Sequence, residues 1–181
     1  DSYIPASVPG DLYSDLLKNG KIEDPYYRDN ELGALKLAEN EYEYQTVFSV
    51  DEAVLCRDRV LLRFEGIDTL ADLYLNGTHI GFVNNMHRIW EFDVKEQLEK
   101  GENVLKAIFH SPTAFIREKY ARRRLDGTSD AMRGFPYLRK AHCMFGWDWG
   151  AHLPDAGIWR PVYLMGVDTA RFDSVEVLQY H

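Results

Sequence analysis

The sequence predicts an antiparallel β-sandwich, and three observations carry that expectation. From Tyr42 onward, apolar and polar residues alternate with a period of two in a series of short runs. Gly- and Asn-containing turns separate those runs, and only one or two brief segments show a helical period. Seven or more short strands at this spacing belong to a sandwich, not to alternating βα units. The 181 residues, 45% of them hydrophobic, suffice for one sizeable core, and no repeat, low-complexity tract or linker divides the chain.

Taken in order, Val8-Pro9-Gly10-Asp11 punctuates the chain, and Asp11 can cap a short amphipathic helix. Its apolar face is Leu12, Tyr13, Leu16 and Leu17, and Asn19-Gly20 ends it. Asp24 to Glu31 is a polar, aromatic loop that no regular element accounts for, and its Tyr26-Tyr27 pair is expected to pack. Tyr42, Tyr44, Thr46 and Phe48 then mark one face of a half-buried strand, and Arg59 to Glu65 is the next. Asp72 to Val83 is a hairpin, because Asn76-Gly77 supplies the positive φ angles of a two-residue I′ turn. That turn also explains Asn76-Gly77-Thr78 more simply than a glycosylation sequon does. Ile89–Val94 and Asn103–His110 are strands, split by a polar segment with room for a helical turn. Pro112-Thr113 opens a helix inside the insertion from Ser111 to Pro136. Val162–Met165 and Ser174–Tyr180 are expected to close the set.

Charge and composition narrow the partners. The net charge of -8 opposes an overall role on nucleic acid or an anionic membrane. Between Arg117 and Lys140, eight Arg or Lys face three acids, but aromatic residues do not interleave with the arginines as stacking platforms would. These cations are expected to meet an acidic neighbour or to line the approach to the tryptophans of residues 147–149. No apolar run spans a bilayer and no signal peptide is recognisable. With the net charge, these observations lead to the expectation of neither a membrane nor a nucleic-acid partner. Cys56 and Cys143 form no CxxC; Cys56 is expected to be a packed thiol and Cys143 a loop neighbour of the tryptophans. The six histidines show no ligand spacing, so no metal and no cofactor are assigned. Asp68, Asp72, Asp93, Asp155 and Asp173 are expected at scattered strand ends, which argues against paired acid/base chemistry.

The chemistry concentrates at Gly146-Trp147-Asp148-Trp149-Gly150. Two of the four tryptophans flank one carboxylate there, between glycines that let the backbone turn. A carboxylate can accept a pair of sugar hydroxyls while indole faces cover pyranose C–H groups. The same residues also suit a buried tryptophan pair with Asp148 capping a turn.

Several motifs in fixed order extend this reading. Val8-Pro9-Gly10, Asp24 to Glu31, Phe64 to Ala71, Asn85-Met86-His87-Arg88, Arg139-Lys140-Ala141, Phe145 to Gly150 and Gly157 to Val162 together resemble the N-terminal domain of β-mannosidases in glycoside hydrolase family 2. The resemblance covers nearly the whole chain. It implies a galactose-binding-like jelly roll over residues 1–181, followed in the parent enzyme by an immunoglobulin-like domain and a (β/α)₈ barrel. That barrel supplies both catalytic glutamates of a retaining mechanism, about 5 to 5.5 Å apart. It needs about 250 residues, so no catalytic residue is expected in this chain, which is expected to be inactive alone.

The resemblance further implies that the Trp-Asp-Trp-Gly loop folds over the barrel mouth. Asp148 then accepts hydrogen bonds from hydroxyls of the terminal nonreducing β-mannosyl residue, and Trp147 walls that subsite. Gly146, Trp149 and Gly150 support the loop. Apart from the resemblance, His87, Arg88 and Arg139 are candidates for its rim, the alternative for His87 being a turn histidine satisfied by backbone. The partners implied are β-mannoside glycans and the parent's own barrel. The chain departs from the family pattern in three places. A first strand before Pro5 is expected to be missing, which would leave a sandwich edge open; Tyr42 replaces a usual Trp; and Ala151 replaces a common Pro, loosening the exit of the loop. An autonomous carbohydrate-binding module, a β-galactosidase- or β-glucuronidase-type parent, and a purely structural domain are the alternatives. Exposure of Trp147 and Asp148 separates the last of these from the sugar-binding readings.

Overall fold

The structure, a computed structural model, describes residues 3–180. Asp11 caps α1 (Leu12–Lys18), its carboxylate accepting the Ser14 backbone N–H at 2.8 Å, and Asn19 followed by Gly20 at φ 62° ends the helix. A second helix, α2 (Glu31–Leu37), follows the aromatic loop and was not legible in the pattern, because only Ala34 of its residues is buried. The Tyr pair before it does not pack: Tyr26 and Tyr27 are exposed. The loop holds its shape through polar closure instead. Asp24 accepts the Tyr26 N–H at 2.9 Å, and the Asn30 side chain donates to the Asp24 carbonyl at 2.9 Å.

The remaining strands and α-helices are β1 (Tyr42–Val50), α3 (Glu52–Leu55), β2 (Arg59–Phe64), β3 (Ala71–Leu75), β4 (Thr78–Val83), β5 (Trp90–Asp93), β6 (Gly101–Phe109), α4 (Pro112–Arg122), β7 (Phe145–Trp147), β8 (Gly150–His152) and β9 (Val162–Val167). Every strand pair is antiparallel. One sheet has the order β1-β6-β3-β4, a second β5-β2-β9, and β7 with β8 forms a separate hairpin. The period of two decides which faces meet. Leu105, Ala107 and Phe109 of β6 and Leu73 and Leu75 of β3 share one apolar cluster with Val60, Leu62 and Phe64 of β2. The two sheets therefore pack face to face as a sandwich. Burying each Leu or Phe of that kind contributes about 1.5–3 kcal/mol.

Asn76 and Gly77 both take positive φ, 50° and 80°, as the I′ turn requires. The Asn76 side chain also donates to the Gln97 carbonyl and to Asn103, each at 2.8 Å, so this asparagine is committed to the fold. Between the outer edges of β1 and β9 lies a groove of about 1310 Å³, lined by Tyr42, Tyr44, Phe48, Leu105, Val162 and Leu164 among others.

Two further expectations are corrected. Ser174–Tyr180 forms no strand: Val175, Val177, Leu178 and Tyr180 are exposed, and no described strand edge pairs with them. Cys56 is exposed at the end of α3, not packed, because that helix has no buried residue to draw it inward. No described helix is long and apolar enough to cross a membrane.

Candidate functional site

The Trp-Asp-Trp-Gly run is a hairpin with a two-residue turn. Phe145 pairs with His152 and Trp147 with Gly150, which leaves Asp148 and Trp149 at the tip. The base is anchored by Phe145, fully buried among Leu70, Ile116, Phe135 and Leu138 and stacked on Phe135 at 6.0 Å between centroids. On the other side, Ala151 and Leu153 pack against Tyr13 of α1 and Ala34 of α2. Ala151 thus sits half-buried inside β8. Cys143 lies exposed in the single 3₁₀ turn that leads into β7.

The two glycines do different things. Gly146 has φ 96°, and a Cβ there would lie 2.4 Å from Nε2 of His152, so its lack of a side chain lets the imidazole cross the strand. Gly150 has no positive φ, and a Cβ there would meet only Trp147 at ordinary contact distance. The turn itself needs no glycine.

At the tip Asp148 is exposed, Trp147 is 47% exposed and Trp149 is 81% exposed. No hydrogen bond or ion pair joins the Asp148 carboxylate to another described residue. Such exposure of two indoles around a free acid is unlike a buried tryptophan pair. Asp148 does not cap a helix. The arrangement offers a carboxylate with all its acceptor sites open, beside two flat apolar faces.

The candidate rim residues come together partly. The Met86 N–H donates to the Arg139 carbonyl at 2.9 Å, and Asn85 bridges to Arg139, so the 85–88 turn lies against the segment that leads to the hairpin. His87, Arg88 and Arg139 are all exposed. Asn85 accepts the His87 backbone N–H at 2.9 Å, and the Arg88 guanidinium lies 4.5 Å from the Trp90 ring centroid. No hydrogen bond or ion pair between described residues links these three to Asp148.

Below the hairpin lies a buried polar cluster that the sequence did not reveal. Lys140, the last cation of the basic run that starts at Arg117, is 1% exposed; its ammonium donates to the Asp68 carboxylate and, at 2.6 Å, to the Asp155 carbonyl. Thr69 donates its hydroxyl to the other Asp68 oxygen. Asp68 and Gly157 also exchange backbone hydrogen bonds of 2.9 and 3.0 Å. Burial pushes the Asp68 carboxyl above its ordinary value, and the Lys140 charge pulls the other way.

Asp155 accepts the Ala156 N–H at 2.7 Å and the Tyr13 N–H at 3.3 Å. Burial first, then a hydrogen bond and the charge of Asp11, push its carboxyl up to about 8. On Asp11, burial alone would raise the value, but the Asp155 hydrogen bond and the Ser14 N–H outweigh it and lower the result. The aspartates expected at scattered strand ends are therefore corrected in part: Asp68 and Asp155 converge on one lysine. Nothing local could signal it, since 72 residues separate Asp68 from Lys140. Among the described residues no group of three or more His, Cys, Asp or Glu side chains could hold a metal.

Comparison with known proteins identifies the family of the chain as a whole. The family described as glycosyl hydrolase 2 galactose-binding domain-like matches residues 1–160. The chain is 34% identical over 167 residues to a β-mannosidase of Bos taurus, which covers 88% of this chain and 19% of that protein. It is 39% identical over 171 residues to β-mannosidase B of Aspergillus terreus, covering 92% of this chain and 20% of that one. Among solved structures, the β-D-mannosidase from Dictyoglomus thermophilum superposes with a TM-score of 0.88 at 37% identity, over 96% of this chain and 22% of the other. The chain thus spans about a fifth of the length of the relatives it matches. The chain therefore belongs to the galactose-binding domain-like family of glycosyl hydrolase 2 proteins.

Proposed function

We propose that this chain is the noncatalytic sugar-capping domain of an exo-acting, retaining β-mannosidase, and that its hairpin closes the subsite for the terminal nonreducing β-D-mannosyl residue. In this reading Asp148 accepts hydrogen bonds from hydroxyls of that sugar, and Trp147 presents its indole as the subsite wall. Gly146 and Gly150 belong to the loop that carries them, and Trp149 braces the loop against the neighbouring domain. His87, Arg88 and Arg139 form the rim on the 85–88 side. The two catalytic glutamates lie in a separate (β/α)₈ domain, so the present chain binds and orients but breaks no bond.

The observation that carries this reading is the free carboxylate at the tip of a rigidly based hairpin, flanked by two exposed indoles. The names of the relatives support mannose over other sugars. Exo action follows from the same proposal, because a hairpin that caps the subsite leaves no room for further sugar units beyond it.

A panel of aryl glycosides assayed with the full-length enzyme tests the proposal. It predicts the highest kcat/KM on the β-mannoside and product of retained configuration. A preference for β-galactoside or β-glucuronide, or inversion at the anomeric carbon, would contradict it.

A further inference from the structure

We infer that Lys140 is a positioning residue for the substrate subsite, because it binds together the two stems from which the Trp147–Trp149 tip projects. This inference rests on the functional reading of the tip given above.

The argument is one of connectivity. The chain enters the hairpin through residues 138–144 and leaves it through 153–157. Lys140 stands in the entering stem, and its ammonium donates at 2.6 Å to the backbone carbonyl of Asp155 in the leaving stem. The same ammonium donates to the carboxylate of Asp68, which lies in neither stem but in the link between β2 and β3. That link is in turn stitched to the leaving stem by the paired backbone bonds of Asp68 and Gly157. One buried side chain thus ties both ends of the hairpin to the sandwich. Backbone links at the base, the Phe145–His152 pair and a 2.9 Å bond from the Leu153 N–H to the Met144 carbonyl, join the two strands to each other but not to the sandwich.

A merely stabilising hydrophobe could fill the same space. A buried ammonium must instead keep its acceptors where they are, because an unpaired charge in the interior is expensive. The pair therefore specifies where the stems sit more strongly than it adds stability. Misplacing a binding group by about 1 Å can cost about a hundredfold in catalytic efficiency.

The test uses the full-length enzyme with two variants, Lys140→Met and the double change Asp68→Asn with Lys140→Met. The double variant guards against a folding defect, since it leaves no orphan charge. We expect both to show amide hydrogen exchange at residues 145–152 faster by about tenfold or more, with strands β2, β3 and β6 unchanged. We also expect KM for an aryl β-mannoside to rise about tenfold while kcat changes less, a split that general loss of folded protein would not produce. Unchanged exchange in the hairpin of the folded double variant would overturn the inference, as would faster exchange with unaltered KM. The functional reading fails separately, through a wild-type enzyme that does not turn over β-mannosides; the exchange arm still decides the strut in that case.

Discussion

Trp147 pairs with Gly150 across the β7–β8 hairpin, and that single register places Asp148 and Trp149 in solvent at its tip. Of the four tryptophans, Trp90 and Trp159 are half-buried. Acrylamide should therefore quench fluorescence chiefly through Trp147 and Trp149. Replacing Trp149 with Phe should remove the most quenchable component and shift the remaining emission to the blue. A blue-shifted emission in the wild-type chain that acrylamide hardly touches would mean that the indoles pack inward.

Gly146 and Gly150 frame the same tip but should respond unequally to alanine. At Gly146 a Cβ meets the His152 ring and the backbone sits at φ 96°. Gly146→Ala should cost about 1–3 kcal/mol and disturb the hairpin, whereas Gly150→Ala should be close to neutral. Chemical denaturation of both variants measures the difference, and equal stabilities would contradict the assigned backbone.

The Asp155 carboxyl, raised from 3.8 to about 8 beside Asp11, makes stability depend on pH. In the folded chain it keeps its proton up to about pH 8, while the unfolded chain releases it near pH 4, so the folded state binds more protons in between. Stability should therefore fall as pH rises through that window. Asp155→Asn can keep the bonds to the Ala156 N–H and to Asp11 without titrating. The variant should show a flatter profile, and the wild-type Tm should drop relative to it by about 5 °C or more between pH 5 and pH 8. Parallel profiles would show that Asp155 titrates normally.

His110 lies between Glu41, 2.6 Å from Nδ1, and Asp72, 2.8 Å from Nε2. Burial lowers its value, but the two carboxylate hydrogen bonds outweigh it, and the net direction is upward from 6.5. Its contribution to stability is fully present below pH 6.5 and lost as pH rises through the folded value. An NMR titration should place its midpoint above 6.5, and Glu41→Gln should bring it down. A midpoint below 6.5 would contradict the ion-paired arrangement.

What the sequence made legible and what it hid divide along physical lines. The alternation at Leu105, Ala107 and Phe109 and the positive-φ pair Asn76-Gly77 are local signals, and the strands and hairpin they predict are present. Ser174–Tyr180 carries a similar alternation, yet a strand also needs a partner edge, which no residue pattern encodes. The helix α2 was hidden because it buries little. Trp-Asp-Trp-Gly was legible as a composition, but not as a hairpin whose two-residue turn uses no positive φ. Lys140 was the furthest from sight: in the sequence it continues a basic stretch, and only the fold brings Asp68 and Asp155 around it.

Kinetics of Asp148→Asn in the full-length enzyme test the central claim most directly. A charged hydrogen bond to the terminal sugar is worth roughly 1.5–3 kcal/mol, so kcat/KM on an aryl β-mannoside should fall roughly 10- to 150-fold. The melting temperature should stay within about 2 °C of wild type, since the carboxylate has no partner among the described residues to lose. A variant with wild-type kcat/KM would show that Asp148 does not touch the substrate.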